Sequence, residues 1–120
     1  MKMPPYMPLY VTVFEADTGH LTLAEDGTYN RLLRLCWLTR GCSIPDDPAW
    51  IERRMRCGAE EYQNLVAPCL REFFHRRNGR LFQKRQQKEW RRAKMLADKR
   101  SEAGRKGGRP RNPLKLVGSQ

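Results

Sequence analysis

The sequence lacks the features that mark membrane, secreted, metal-binding and catalytic proteins. No apolar run approaches the roughly 18–20 residues of a membrane span, and the N-terminus lacks the apolar stretch of a secretory signal. Only two histidines are present, and neither a Gly-x-Ser-x-Gly motif nor a phosphate-binding loop occurs. We therefore expect a cytoplasmic protein that is not an enzyme, binds no membrane and uses no cofactor or metal.

The sequence also lacks a Cys-x-x-Cys motif. The chain has four cysteines, and their spacings of 6, 15 and 12 residues fit no zinc-finger pattern: Cys36, Cys42, Cys57 and Cys69. Cys36 and Cys69 fall in apolar stretches, so we predict that both are small core residues. In a cytoplasmic protein the thiols should stay reduced.

Acidic residues are scarce, and they are distributed unevenly along the 120-residue chain. Lys and Arg number 24 against 13 Asp and Glu, which gives a formal net charge of +11. Residues 1–83 carry 11 basic and 10 acidic side chains, whereas residues 84–120 carry 13 basic and 3 acidic ones. A nearly neutral head followed by a segment of net +10 predicts a folded domain joined to a region that binds a polyanion, most simply nucleic acid.

Hydrophobic spacing in the first forty residues predicts one helix. Residues 6–14 alternate loosely between apolar and polar types, which favours a strand or an extended arm. Thr22 and Glu25 then form a capping box. Behind it, apolar residues recur at three- and four-residue steps and define the inner face of a first helix that ends near residues 39–40: Tyr29, Leu32, Leu33, Cys36 and Trp37.

The rest of the chain predicts three more helices and a hairpin. After a loop at 42–48, Asp47 caps a short second helix from Pro48 to about Met55, and a turn follows at 56–58. A third helix spans residues 59 to about 74, and Pro68 should kink or divide it. Asn78-Gly79 indicates a two-residue β-hairpin turn. A fourth helix is expected from 83 to about 99, and beyond Ser101 Gly and Pro should prevent a helix.

This order of elements is typical of a winged helix-turn-helix, a mainly α fold with a small β-hairpin as its wing. The chain divides into a winged-helix-like domain (6–83), a basic C-terminal helix (84–100) and a flexible basic tail (101–120). The outer face of the third helix, the wing tip, the fourth helix and the tail offer amide and guanidinium groups suited to base edges and phosphates. The candidate DNA-binding residues are Gln63, Asn64, Arg71, Arg76, Arg77, Arg80, Lys84, Arg85, Arg91, Arg92, Arg105, Lys106, Arg109 and Arg111.

Two parts of this interface keep an alternative open. Glu60 and Glu61 begin the third helix and repel phosphate, so that helix either binds DNA or serves as a protein-interaction element. In the tail, Gly-Arg-Pro-Arg at residues 108–111 is similar to the core of an AT-hook, whose arginine enters a narrow A·T minor groove. The same segment also fits a basic linker that binds phosphate without base preference.

Several motifs together resemble the YdaU-type prophage family. Residues 16–29 read Ala-Asp-Thr-Gly-His-Leu-Thr-Leu-Ala-Glu-Asp-Gly-Thr-Tyr, and the Phe-Phe…Asn-Gly-Arg-Leu stretch at 73–81 and Ser-Glu-Ala-Gly-Arg-Lys-Gly-Gly at 101–108 continue the likeness. The resemblance implies a winged-helix-like domain in a phage replication initiator or a helicase-loading accessory. It implies no catalytic residue.

The charge and the pattern of elements predict a protein that binds DNA, most simply double-stranded, and the resemblance implies that it is phage-derived and acts in replication initiation or its control. The alternative is a small phage protein that binds and inhibits or redirects a host replication or defence complex. Trp90, Ala93 and Leu96 form a thin apolar line on the fourth helix and are predicted as the seam of a homodimer.

Overall fold

The computed structural model describes residues 4–107, and every structural statement below concerns that part of the chain. It is mainly helical and contains one small antiparallel sheet of three strands. The elements in chain order are α1 (Val11–Thr18), α2 (Leu23–Trp37), a 3-10 turn (Arg40–Cys42), β1 (Ile44–Pro45), α3 (Pro48–Met55), α4 (Ala59–Glu61), a π-helical segment (Tyr62–Val66), α5 (Ala67–Phe73), β2 (His75–Arg77), β3 (Arg80–Phe82) and α6 (Lys84–Gly107).

Helix α2 is the centre of the fold, and its predicted cap and inner face are confirmed. The Thr22 hydroxyl accepts a hydrogen bond from the Glu25 amide at 3.2 Å, and the Glu25 carboxylate accepts one from the Thr22 amide at 2.8 Å. The five apolar residues predicted for its inner face are all buried in the core. Trp37 is 4% exposed, and its indole N–H donates to the carbonyl oxygen of Pro4 at 2.9 Å.

The prediction of a strand or an extended arm at residues 6–14 was wrong from Val11 onward. The chain is irregular up to Tyr10 and then forms α1. A helical turn places Phe14 and Thr18, which are four residues apart, on the same side. Phe14 stacks on Tyr29 with ring centroids 5.5 Å apart, and Thr18 is buried. Val11 and Val13 favour a strand by propensity, but packing of Phe14 against α2 determines that this segment is helical.

The region from α3 to α5 follows the prediction closely. Asp47 caps α3 by accepting hydrogen bonds from the amides of Ala49 and Trp50. The helix predicted for residues 59 to about 74 is divided into α4, the π-helical segment and α5, which we call the segmented helix. The π-helical segment ends two residues before Pro68, where the sequence predicted a kink or a division of the helix. Because Pro68 has no amide hydrogen, the Asn64 carbonyl four residues earlier lacks its usual helical partner.

The predicted hairpin is confirmed, and it belongs to a larger sheet. Asn78 and Gly79 have φ values of +52° and +73°, the left-handed pair that a tight two-residue turn requires. The strands are ordered β1-β3-β2, and Ile44 of β1 pairs with Leu81 of β3. The sequence prediction had assigned Ile44 to a loop, because two residues are too short to display strand alternation.

Helix α6 is longer than predicted and covers the first residues of the expected flexible tail. It runs to Gly107, whereas the sequence favoured an end near residue 99. Residues 101–103 suit a helix, and an isolated glycine such as Gly104 costs only about 1 kcal/mol there. From Met95 to Arg105 every side chain of α6 is exposed, so this end of the helix extends away from the core.

The start of α6 is attached to the domain through polar and apolar contacts. The Gln86 amide nitrogen donates to the Leu33 carbonyl, and that of Gln87 donates to the Gly41 carbonyl at 3.1 Å. Trp90 is only 7% exposed, so it is a core residue, and within the predicted dimer seam Leu96 is the exposed member. Cys36 and Cys69 are buried as predicted, and all four cysteines are free thiols. Within residues 4–107, each helix is too short or too polar to cross a membrane.

Candidate nucleic-acid interface

A cleft of about 510 Å³ separates the segmented helix from the hairpin. Tyr62, Leu70 and Phe74 line its apolar part, and Arg71 and Arg76 line its polar part. Both arginines are exposed. The fold thus brings one cation from the third predicted helix and one from the hairpin to the same opening.

Arg76 is already paired in this cleft. Its guanidinium forms an ion pair with the carboxylate of Asp46, the residue that follows β1. The hydrogen bond to Asp46 also raises the pKa of the Arg76 side chain. The Asp46 amide donates in turn to the Gly79 carbonyl at 2.9 Å, which ties this carboxylate to the hairpin turn. Any anion that binds Arg76 would therefore have to compete with Asp46 for its guanidinium.

The other two arginines of the hairpin differ in what they can contact. Arg77 is exposed, and its guanidinium carbon lies 5.5 Å from the centroid of the Phe82 ring. Arg80 is half-buried and donates to the Ser43 hydroxyl at 3.0 Å, the Ser43 carbonyl at 3.1 Å and the Arg40 carbonyl at 3.2 Å. Arg77 is free to meet a ligand, whereas Arg80 joins β3 to the 3-10 turn.

The exposed face of the segmented helix is polar but not basic. Gln63 and Asn64 are exposed in the π-helical segment, and Arg71 is exposed about two turns later. Glu60 and Glu61 are exposed at the start of the same helix, and a Glu61 carboxylate oxygen accepts from the Gly58 amide at 3.1 Å. These amides and the one arginine can form hydrogen bonds with base edges, but the face contributes no excess positive charge.

Helix α6 carries most of the charge in the described chain. Its sequence contains ten Lys and Arg against three Asp and Glu, a net of +7. Among the predicted residues, Lys84, Arg91 and Arg92 are exposed on it. Arg85 is exposed too, and it forms an ion pair with Asp17 of α1 at 3.1 Å. Arg105 is exposed near the end of the helix.

The structure adds two cations that the sequence prediction omitted. Lys88 and Lys99 are exposed, and helical spacing places them beside three predicted residues on the side of α6 that faces away from Trp90. We call this row the α6 stripe: Lys84, Lys88, Arg91, Arg92 and Lys99. The steps of three, four and seven residues between its members were visible in the sequence and could have found it.

Three predicted residues cannot be placed. Arg109 and Arg111, with the AT-hook-like motif, lie outside the described residues, and for Lys106 only the helical backbone is described. Within residues 4–107, no three His, Cys, Asp or Glu side chains lie close enough together to hold a metal ion. The candidate interface therefore consists of the cleft, Arg77, the segmented helix and the α6 stripe.

Comparison with known proteins identifies a family for this chain. A family model described as protein of unknown function DUF1376 matches residues 5–91, which is well over half of the chain. The chain belongs to the DUF1376 family. No curated protein and no solved structure matches it. The DUF1376 match runs from residue 5 through the first third of α6, so it includes the cleft and the hairpin but not Arg92 and Lys99 of the α6 stripe.

Proposed function

We propose that this DUF1376 protein binds double-stranded DNA with little sequence preference, through a winged-helix domain and the adjoining α6. The order of elements from α2 to β3 and the strand order β1-β3-β2 support a winged helix, with the β2–β3 hairpin as its wing. In that architecture the segmented helix faces the major groove, and the wing contacts the backbone or minor groove.

The observation that carries the proposal is the net charge of +7 on α6, whose stripe of five cations is exposed along one side. Ten of the chain's 24 basic residues lie on this helix. Neutralising phosphates with such a row releases counterions, a favourable contribution that does not depend on base sequence. The head provides orientation rather than charge, because its acidic and basic residues nearly balance.

Low sequence preference follows from the segmented helix. Its exposed face offers Gln63, Asn64 and Arg71 to base edges, but Glu60 and Glu61 oppose close approach to the backbone. We infer that phosphate contacts from Arg77 and the α6 stripe provide most of the affinity. The resemblance to YdaU-type prophage proteins supports a role in phage replication initiation or its control, in the cytoplasm of a bacterial host.

Fluorescence anisotropy of the full chain with a labelled duplex, at low and moderate salt, tests this proposal. Replacing Lys84, Lys88 and Lys99 with Gln should remove about three phosphate contacts and lower the slope of log affinity against log salt by roughly 2.7 units. Arg53→Ala, an exposed arginine on α3, is a control for a single change in charge. Duplex binding that does not depend on salt would overturn the proposal, as would a triple variant with an unchanged slope.

A second function is favoured by exposed apolar residues near the N-terminus and on α6. Tyr6 is 80% exposed, Leu9 50% and Leu96 48%. Such side chains suit a protein partner better than a nucleic acid. The alternative proposal is therefore a phage protein that binds and inhibits or redirects a host replication or defence complex. Tight binding to a host complex by a chain that shows no affinity for DNA would favour this alternative.

A further inference from the structure

A second cleft, of about 480 Å³, lies between α2 and the turn that joins α3 to α4. Arg31 and Arg34 line it from α2, and Arg56 lines it from the turn. None of these three arginines belongs to the candidate interface above, and among the described side chains none from the hairpin or from α6 lines this cleft. We call it the arginine cleft.

Two of the three guanidinium groups are held in place by the protein. An Nη of Arg31 donates to the Met55 carbonyl at 2.9 Å, and Nε of Arg34 donates to the Asn30 side-chain oxygen at 2.9 Å. Each guanidinium keeps further N–H donors for a ligand. Positioned guanidinium groups bind phosphate well, because little side-chain freedom is left to lose on binding.

Arg56 occupies its position in an unfavourable backbone conformation. Its φ and ψ are +60° and +49°, the left-handed region, at the residue that ends α3. Glycine is the usual residue at such a position, because it adopts this conformation without steric cost. An arginine there supplies a cation to the cleft that glycine cannot, and a strained residue beside a cleft suggests a functional reason.

The cleft also contains an apolar wall and two acidic side chains. Met55, Leu65 and Val66 form an apolar wall. Two acids, Asp26 and Glu61, also line the cleft, so its formal charge is +1. Both have structural roles: Glu61 caps α4, and Asp26 lies in the first turn of α2, where a carboxylate interacts favourably with the helix dipole.

We propose that the arginine cleft binds a phosphate group, carried either by a nucleic-acid backbone or by a free nucleotide. The three guanidinium groups would share the phosphate oxygens through charge-assisted hydrogen bonds. This site goes beyond the proposed function, because a free nucleotide would occupy it even in a chain that does not bind duplex DNA.

Cys57 provides a probe within the same cleft. It lines the cleft and is partly exposed, whereas the other three cysteines are buried. A phosphate ligand in the cleft should shield the Cys57 thiol from alkylation. Burial raises the pKa of this thiol, and Glu61 and Glu52 raise it further, so labelling is best followed at mildly alkaline pH, where more of the reactive thiolate is present.

The experiment measures the rate of Cys57 alkylation by iodoacetamide in the full chain, by intact mass and peptide mapping. The probes are inorganic phosphate, ATP and a short duplex, each at the same ionic strength as a sodium chloride reference. Protection by phosphate and ATP identifies a free nucleotide as the source, and protection by the duplex alone identifies the backbone. Equal rates with every probe would overturn the proposal.

Two variants separate ligand binding from an effect on folding. Arg56→Gly relieves the left-handed backbone, so its melting temperature should not fall, but the concentration of probe needed for half-protection should rise about tenfold or more. Arg53→Ala makes the same change in charge outside the cleft, and in this variant the probes should protect Cys57 as they do in the parent chain. If Arg56→Gly is protected as well as the parent, the guanidinium of Arg56 binds no ligand and the proposal fails.

Discussion

Arginines that are neighbours in the sequence do different work in this structure. Arg76, Arg77 and Arg80 lie within one hairpin and look equivalent as sequence, yet the first is paired with Asp46, the second is exposed and the third is bonded to backbone carbonyls. A sequence states the charge of a side chain but not its partners. Substitutions of these three residues should therefore differ in their effects on stability and on DNA affinity.

Arg80→Ala should mainly lower the stability of the fold, whereas Arg77→Ala should mainly lower the affinity for a duplex. Arg80→Ala removes three hydrogen bonds around Ser43 and should destabilise the fold by about 1–3 kcal/mol in chemical denaturation. Arg77→Ala loses a contact with Phe82 worth about 1 kcal/mol or less. Duplex affinity measured on folded protein should fall for Arg77→Ala. Equal effects of the two changes on stability would contradict the assignment of Arg80 as structural.

Asp46→Asn should strengthen DNA binding. The change removes the carboxylate that pairs with Arg76 and releases a cation at the edge of the cleft. One additional phosphate contact should steepen the slope of log affinity against log salt by about one unit. Glu15→Gln, an exposed change on α1, alters the net charge equally and serves as the matched control. A similar gain in both variants would mean that overall charge, not Arg76, is responsible.

At the scale of elements, the sequence correctly predicted the helix starts and turns that depend only on neighbouring residues. The capping box of Thr22, the Asp47-Pro48 start of α3, the irregular turn before Pro68 and the Asn78-Gly79 hairpin were all found where their motifs lie. Elements that depend on distant partners were missed. Helix α1 forms by packing Phe14 on Tyr29, and β1 exists because Ile44 pairs with Leu81.

The same distinction applies to the candidate interface. Exposure of Arg71 and Arg77 followed from the helical and hairpin patterns, whereas the pairing of Arg76 with Asp46 joins residues thirty positions apart. The arginine cleft is likewise formed by α2 and the α3–α4 turn, which only the folded chain brings together. Spacing along one element is visible in a sequence, but contacts between elements are not.

Truncation of α6 tests its role in binding. Ending the chain after Arg100 removes Arg105, Lys106, Arg109, Arg111 and Lys115 together with Glu102. If about four of these cations contact phosphates, the salt slope should decrease by roughly 3 to 4 units. The melting temperature should not change, because every described side chain in the removed segment is exposed. An unchanged slope would exclude this end of the chain from the DNA interface.

At the scale of the whole molecule, stability should fall in alkaline solution. Burial raises the pKa of Tyr29, Cys42 and Cys69 to about 12, and it raises that of Cys36 as well. A group with a higher pKa in the folded chain stabilises it below the unfolded pKa and loses that contribution as the pH rises. For these thiols the loss begins near pH 9, and for Tyr29 near pH 10.

Thermal melts between pH 7 and pH 11, under a reducing agent, measure this loss. The melting temperature should be nearly constant up to about pH 8.5 and then fall steadily. Cys42→Ala should make the alkaline decline shallower, because it removes one of the titrating groups from the unfolded chain. A melting temperature that rises above pH 9 would show that the buried thiols ionise more readily in the folded protein.

The free end of α6 also determines how much DNA one molecule would cover. Residues 101–107 continue the helix beyond Arg100, and at 1.5 Å per residue they add about 10 Å of reach. A duplex rises about 3.4 Å per base pair, so the extension corresponds to roughly three base pairs. The full chain should therefore saturate a long duplex at a lower molar ratio than the chain truncated after Arg100, and neighbouring molecules would be spaced by the helix rather than by the domain.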